Sequence, residues 1–359
     1  MTRFLIVRLG ALGDIVHAIP VAAAIRRSFP AARIDWLVSA KHREILDLVP
    51  VIDRRLVIHD RQDAEGGASF LSAIRELRSA RYDVALDLQG LIKSAILARS
   101  SGAPRVVGFS ARYARERIAR FFYTEAYDPG RGGLYDPRET RHIAEINLLL
   151  LERIGLTVAR PEFPIDQVDS AAARQVHSQT GGAYVLINPG AAWPNKRWAP
   201  ERFAALARAI RERRGVVSVV LWGPGEEGLA DRIVGAARGA AILSPKTTIA
   251  DLVALSREAA LMVSGDTGPL HVASAVGVPV VGIYGPTRPS RNGPLAAADL
   301  VVTRDAACRC HHLRQCTRER MCVDEIEVDE VLGAVERRLG PRRDTGQVGD
   351  LAGHVSNRA

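Results

Sequence analysis

Several short stretches of the 359-residue sequence carry side chains that can bind or move charge. In RLGALGDIVHAIP (8–20), Asp14 stands where an apolar strand gives way to a helix, behind Gly10 and Gly13. A carboxylate there can cap the helix or face a substrate as a base. The two uses oppose one another, because amides that bind the anion also weaken it as a base. In SGDTGPLH (264–271) a helix is expected to open between Thr267 and Leu270. Its free amides, the Thr267 hydroxyl and the His271 imidazole then form an anion site suited to a diphosphate. Asp266 would repel a phosphate, so its natural partner is a sugar hydroxyl just beyond. In NPGAAWPNKRWAP (188–200), Pro200 suits the first turn of a helix, which leaves Lys196 and Arg197 in the loop before it. A lysine there can neutralise a leaving phosphate. Glu226 in LWGPGEEG (221–228) follows a strand, placed either to take two ribose hydroxyls or to charge a first helical turn.

A second group of charges lies in the first half. DLQGLIKSAI (87–96) puts Lys93 in a first helical turn, where the macrodipole disfavours a cation. Between Arg99 and Arg120 there are six arginines against one acid, Glu116, within a chain of net charge +9. Lys93 with Arg112, Arg115, Arg117 and Arg120 therefore reads as a site for an anionic acceptor and an anionic membrane surface, against the alternative of a solvated face. Nucleic acid ranks lower: aromatic residues make up 5% of the chain, none of them arranged as a stacking platform. Cys308, Cys310, Cys316 and Cys322 cluster beside His311 and His312. Such a cluster suggests a metal more than disulfides in an intracellular chain, yet the spacing matches no common zinc knuckle. No metal is assigned.

These residues need elements to hold them. Strand-like runs alternate with helical patterns in both halves: FLIVR (4–8), RIDWLV (33–38) and DVALDL (83–88), then YVLIN (184–188), VVSVVLW (216–222), ALMVS (260–264) and PVVGIY (279–284). That alternation is the mark of parallel sheets, whose ligands bind beyond the carboxyl ends of the strands. A helix is expected from Ile15 to Arg27, with Ile15, Ala18, Ile19, Ala22 and Ile25 on one face. Pro161, Pro164, Gly181 and Gly182 mark a polar connection, which divides the chain into domains 1–168 and 169–340, with 341–359 as a loose tail.

Other classes fit less well. Arg8, Gly10, Gly13 and Asp14 interrupt the apolar start, leaving no signal-peptide core, and no segment reaches the roughly 18 uncharged apolar residues of a membrane span. A cytoplasmic chain is expected. Gly-x-x-Gly near the start lacks the full dinucleotide fingerprint, and Val38-Ser39 ends the second strand where a nicotinamide enzyme has an acid for ribose.

GDIVHAIP, NPGAAWPNKRW and GDTGPLHVASAVGVPVVGIYGPT resemble the ADP-heptose:lipopolysaccharide heptosyltransferases of glycosyltransferase family nine, over nearly the whole chain to about residue 340. DLQGLIKSA and ARERIARFFY are most similar to members that add heptose to the Kdo of lipid A. The resemblance implies a GT-B fold, two Rossmann-like doubly wound domains around a cleft, with inverting chemistry, no metal and no cofactor. It implies a peripheral enzyme at the cytoplasmic face of the inner membrane, with ADP-heptose as donor and Kdo-lipid A as acceptor. By residue, it makes Asp14 the general base and sets the diphosphate against Lys196, Thr267, Gly268 and His271. It also puts Glu226 at the ribose and Asp266 at the heptose hydroxyls. Pro269 stands where many relatives have leucine, which removes one amide from the phosphate cradle. Two alternatives stay open: a family-nine transferase with another nucleotide sugar or acceptor, and a non-catalytic sugar-nucleotide-binding protein.

Overall fold

The computed structural model describes residues 1–59, 70–311, 313–316 and 318–341. His312 and the expected tail from residue 342 onward lie outside the described residues. Strands β1 (Arg3–Val7), β2 (Arg33–Ser39), β3 (Arg54–Ile58), β4 (Val84–Asp87), β5 (Arg105–Phe109) and β6 (Glu125–Tyr127) form one sheet. Strands β7 (Tyr184–Asn188), β8 (Val217–Val220), β9 (Ala241–Leu243), β10 (Leu261–Gly265), β11 (Val280–Tyr284) and β12 (Leu300–Thr303) form a second. The orders are β3-β2-β1-β4-β5-β6 and β12-β11-β10-β7-β8-β9, with neighbouring strands parallel. Counted from its own first strand, each sheet runs 3-2-1-4-5-6, the doubly wound order that leaves a crevice between strands 1 and 4. The expected pair of Rossmann-like sheets is what the chain forms. Its apolar runs are strands because helices cover both faces: Leu5, Ile6, Val7, Val185, Leu186 and Ile187 are fully buried.

The first helix departs from the expectation. In place of one helix over 15–27 there are two, Leu12–Val16 and Ile19–Ser28. Pro20 has no N–H to continue the first, so the chain restarts with Ala18 as the new N-cap. The apolar stripe survives the break, and Ile15, Ala18, Ile19, Ala22 and Ile25 are all buried. The closing helix spans Val328–Leu339, and Cys322–Glu325 forms a separate 3-10 turn before it.

The sheets meet through the elements after β1 and β10. Ile15 and Ile19 belong to the same hydrophobic cluster as Leu270 and Val272 of the helix Gly268–Ala275. At Gly268 a side chain would stand 2.9 Å from Leu12, and at Gly13 one would collide with the His271 ring. Both glycines are needed for this approach. The His17 ring sits edge-on between His142 and His271, at centroid distances of 4.9 and 4.4 Å. His142 Nδ1 accepts from the Ala144 N–H, so its Nε2 carries the proton and donates to the Gly293 carbonyl, tying the two halves together at 2.9 Å.

Candidate active site

A cleft of about 970 Å³ lies between the sheets, over the carboxyl ends of both central strands. That volume suits a nucleotide sugar better than a small metabolite. From the first sheet it is lined by Asp14, Gln89, Lys93, Arg115 and Tyr135, and from the second by Trp193, Lys196, Glu226, Asp266, Thr267, Gly268, His271 and Arg291.

Asp14 is not the N-cap that local reading allows. Ala11 occupies that position, and Asp14 sits three residues on, its carboxylate reaching back to accept from the Ala11 N–H at 3.2 Å. Its main partners are two arginines. Arg8 donates to Oδ1 and Arg115 to Oδ2, each at 2.8 Å. Burial would raise this carboxyl, but the two guanidiniums overcome it and hold Asp14 well below the ordinary carboxylate range. The partners differ in exposure. The Arg8 side chain is 3% exposed and also donates to the Leu88 carbonyl; burial pushes it down to about 10 despite Asp14. Arg115 comes from the loop after β5 and is 28% exposed.

On the facing sheet, β10 ends at Gly265 and Thr267 N-caps the helix Gly268–Ala275, with Pro269 in its first turn. Thr267 makes no side-chain cap bond; its hydroxyl accepts from Asn188 Nδ2 at 2.9 Å. The helix amides therefore face the cleft. Asp266 is buried and accepts from Lys196 Nζ at 2.5 Å, from Asn292 Nδ2 at 2.5 Å and pairs with His271 Nε2 at 3.1 Å. Burial opposes ionisation here too, yet Lys196 and His271 keep Asp266 well below its usual range. Lys196 ends the turn Pro194–Lys196, where its ammonium also lies 4.7 Å from the Trp193 ring centroid. Glu226 precedes the helix Glu227–Ala236, and its carboxylate accepts from the Gly223 N–H at 3.1 Å. It packs so closely on Gly190 that a side chain there would displace it.

Of the first-half cations, Lys93 and Arg115 reach the cleft. Arg112, Arg117 and Arg120 do not: they are exposed on the outer surface and line no part of it. For Arg117 and Arg120 the cause is the 3-10 turn Arg117–Phe122, which buries Ala119 and turns its neighbours outward. Glu116, the one acid of that stretch, is spent on the Ile92 N–H at 2.6 Å.

Three contributors escaped the sequence reading. Buried Asp87, at the end of β4, accepts from the Gln89 and Gly90 N–H groups, from Ser94 and from the Tyr123 hydroxyl, and so shapes the loop that presents Lys93. Arg8 looked like part of a strand. Arg291 brings a guanidinium from the second half toward Asp14, stacked 5.4 Å from the Tyr135 ring, and among the described residues its buried Nε has no hydrogen-bond partner. Arg8 was legible only as the end of the run FLIVR and Asp87 only as the start of DLQGLIKSAI, and nothing in the sequence marked Arg291.

The four cysteines do pack together as free thiols, with Cys308 and Cys310 sulfurs 3.5 Å apart. Among the described residues no group of three or more His, Cys, Asp or Glu is arranged to hold a metal ion. The cluster instead supports the Lys196 turn, through Asn195 Nδ2, which lies 3.7 Å from the Cys310 sulfur and donates to the Leu313 carbonyl at 2.9 Å.

Comparison with known proteins adds independent findings. The family model described as glycosyltransferase family 9 (heptosyltransferase) matches residues 70–321. Lipopolysaccharide heptosyltransferase 1 of Pseudomonas aeruginosa is 28% identical over 357 residues, covering 95% of each chain. The protein of that name from Escherichia coli K12 is 25% identical over 301 residues, 81% of this chain and 90% of that one. Among solved structures, a family 9 glycosyl transferase from Veillonella parvula superposes with a TM-score of 0.77 at 25% identity, covering 94% of this chain and 97% of that one. The E. coli heptosyltransferase WaaC with ADP superposes at 0.70 and 20% identity, over 94% and 99% of the two chains, a likeness of fold.

Proposed function

This chain belongs to glycosyltransferase family 9, a transferase with the GT-B fold, and from that premise we propose that it moves heptose from ADP-heptose to the Kdo of lipid A. Residues 1–168 serve as the acceptor-binding domain and 169–340 as the nucleotide-sugar domain. The observation that carries the reading is the opposition of Asp14 on one sheet to Lys196, Asp266 and the Gly268 helix N-terminus on the other, within one cleft.

In this reading the diphosphate lies against the helix amides, Thr267 and Lys196, and His271 keeps Asp266 aimed at the heptose hydroxyls. Glu226 takes the ribose. The acceptor hydroxyl attacks the anomeric carbon from the face opposite ADP, and the bond to the β-phosphate oxygen breaks with its electron pair on ADP. Asp14 accepts the hydroxyl proton, and the single displacement inverts the anomeric centre. Lys196 and the helix amides compensate the charge that builds on the leaving group, so no metal is given a role.

Asp14 as it stands is a weak base, with both oxygens held by arginines. The acceptor supplies the remedy: an acidic sugar draws Arg115 away from Asp14 Oδ2, toward Arg291 and Lys93, and the carboxylate regains basicity. Binding and activation of the base are then one event. Incubation with ADP-heptose and Kdo-lipid A, followed by mass analysis of the lipid, tests the proposal. One added heptose is expected, and ADP-heptose should compete for the site far better than UDP- or GDP-sugars; no product at any acceptor concentration refutes it.

Among the described residues no helix is long and apolar enough to cross a membrane. The lipid-borne acceptor proposed here places the enzyme at a membrane surface, the cytoplasmic face of the inner membrane.

A further inference from the structure

We propose that the turn Arg117–Phe122 is a membrane-inserting wedge, which seats Ile118 and Phe121 in an anionic lipid surface and so presents the cleft to its acceptor. The inference rests on the lipid-borne acceptor proposed above, and adds the element that meets the bilayer.

Large apolar side chains standing free are few among the described residues, and two of them, Ile118 at 57% and Phe121 at 76% exposure, lie three residues apart on this one turn. At 3-10 spacing such residues eclipse, so both project from the same face. Exposure of this kind is not looseness. Ala119 is fully buried, and Tyr123, just past the turn, is packed against Gly108 and donates its hydroxyl to Asp87 at 2.8 Å. The base of the wedge is thus bolted to the first sheet while its edge stays in solvent.

The charge around it selects the partner. Arg117 and Arg120 each immediately precede one of the apolar pair, Arg112 lies a few residues before it, and all three are exposed. No ion pair joins any of them to an acid among the described residues, and the Arg120 guanidinium lies 5.5 Å from the Phe121 ring centroid. Apolar side chains ringed by cations match the headgroup boundary of an anionic bilayer, where each part contributes: hydrophobic transfer for Ile118 and Phe121, surface potential for the arginines. An ordinary protein interface favours far fewer unpaired charges at its centre. Arg115 stands two residues before Arg117 and reaches Asp14 in the cleft, so the same segment connects the bilayer to the reacting centre. A lipid-anchored sugar would meet the cleft by rising along it.

The test uses the full chain and its I118S/F121S and R117Q/R120Q variants. Binding is read by sedimentation with vesicles of phosphatidylethanolamine and phosphatidylglycerol, and with vesicles of phosphatidylcholine alone. The wild-type chain is expected on the anionic vesicles and largely absent from the neutral ones. Loss of the two apolar side chains should lower partition roughly 10- to 100-fold, and R117Q/R120Q should lower it and flatten its salt dependence. I118S/F121S should keep the wild-type Tm and the wild-type rate on a water-soluble, delipidated Kdo acceptor, while losing rate on the vesicle-embedded one. Three results overturn the wedge: no binding by the wild-type chain, undiminished binding by I118S/F121S, or a change in the self-association of the lipid-free protein, which would mark the face as a contact between copies. Vesicle binding is read without turnover, so a failure of the heptosyl-transfer reading, seen as no product from either acceptor, remains separate.

Discussion

Asp14→Asn separates the local from the tertiary account of this residue. As a helix-capping group alone, asparagine would replace aspartate at almost no cost. Asp14, however, is the counter-charge of Arg8, whose side chain is 3% exposed and whose buried Nε has no partner among the described residues. Removing one member of a buried pair costs about 3–5 kcal/mol. Asp14 is 24% exposed and Arg8 retains the Leu88 carbonyl, so about 2–3 kcal/mol is expected, a fall in Tm on the order of 3–4 °C for a chain of this length. That loss would confound any activity measurement, and the structure supplies the control. In the double variant Arg8→Met with Asp14→Asn, the stranded buried charge is gone, so most of the Tm should return. Turnover should not: loss of a general base costs about 10²- to 10⁴-fold. Tm by calorimetry, ADP affinity and turnover are measured on the same preparations of all three proteins. An Asp14→Asn variant with wild-type Tm refutes the ion-pair argument, and a double variant that recovers stability and turns over within a few-fold of wild type refutes Asp14 as the base.

Lys196→Met, which keeps the apolar stem beside Trp193, should weaken ADP binding and lower turnover on the order of 10²-fold, and unaltered steady-state kinetics would remove lysine from the donor site. Arg291→Met should raise the acceptor KM roughly 10-fold or more with ADP affinity unchanged; the reverse pattern would assign Arg291 to the diphosphate. The histidine stack makes stability depend on pH. Burial and the neighbouring His271 lower His142 from 6.5 to about 4, and His17 falls well below its usual value for the same reasons. The unfolded chain therefore binds more protons between about pH 6.5 and 4, and stability should fall as pH drops through that window, by about 3 kcal/mol for His142 alone if fully expressed. Asp14 and Asp266, depressed below the ordinary 3.8, lose their contribution only in more acid solution. A Tm unchanged from pH 7 to pH 5 would contradict this.

Much of the molecule was legible along the chain because its determinants are local. Runs such as YVLIN and PVVGIY became β7 and β11 within a residue of their expected ends, since an apolar β-branched run covered on both faces has one good conformation in a parallel sheet. Pro200 and Pro269 did mark first helical turns, as a residue without an N–H must. The same rule, missed at Pro20, broke the helix expected over 15–27. Site residues were legible where a strand ends and a helix begins, because that junction exposes amides whatever surrounds it: hence Thr267, Gly268 and the loop before Lys196. What each charge does there was decided elsewhere. Asp14 meets an arginine 101 residues away, and Asp266 a lysine 70 residues away, and the basicity of both carboxylates follows from those partners rather than from their own helices. Arg115 and Arg117, two residues apart, went to the cleft and to the outer surface because Ala119 and Tyr123 were drawn into the core. Periodicity and turn chemistry are properties of neighbours in sequence. Electrostatic pairing and exposure are properties of neighbours in space, and here only the packing of two sheets around one cleft determined them.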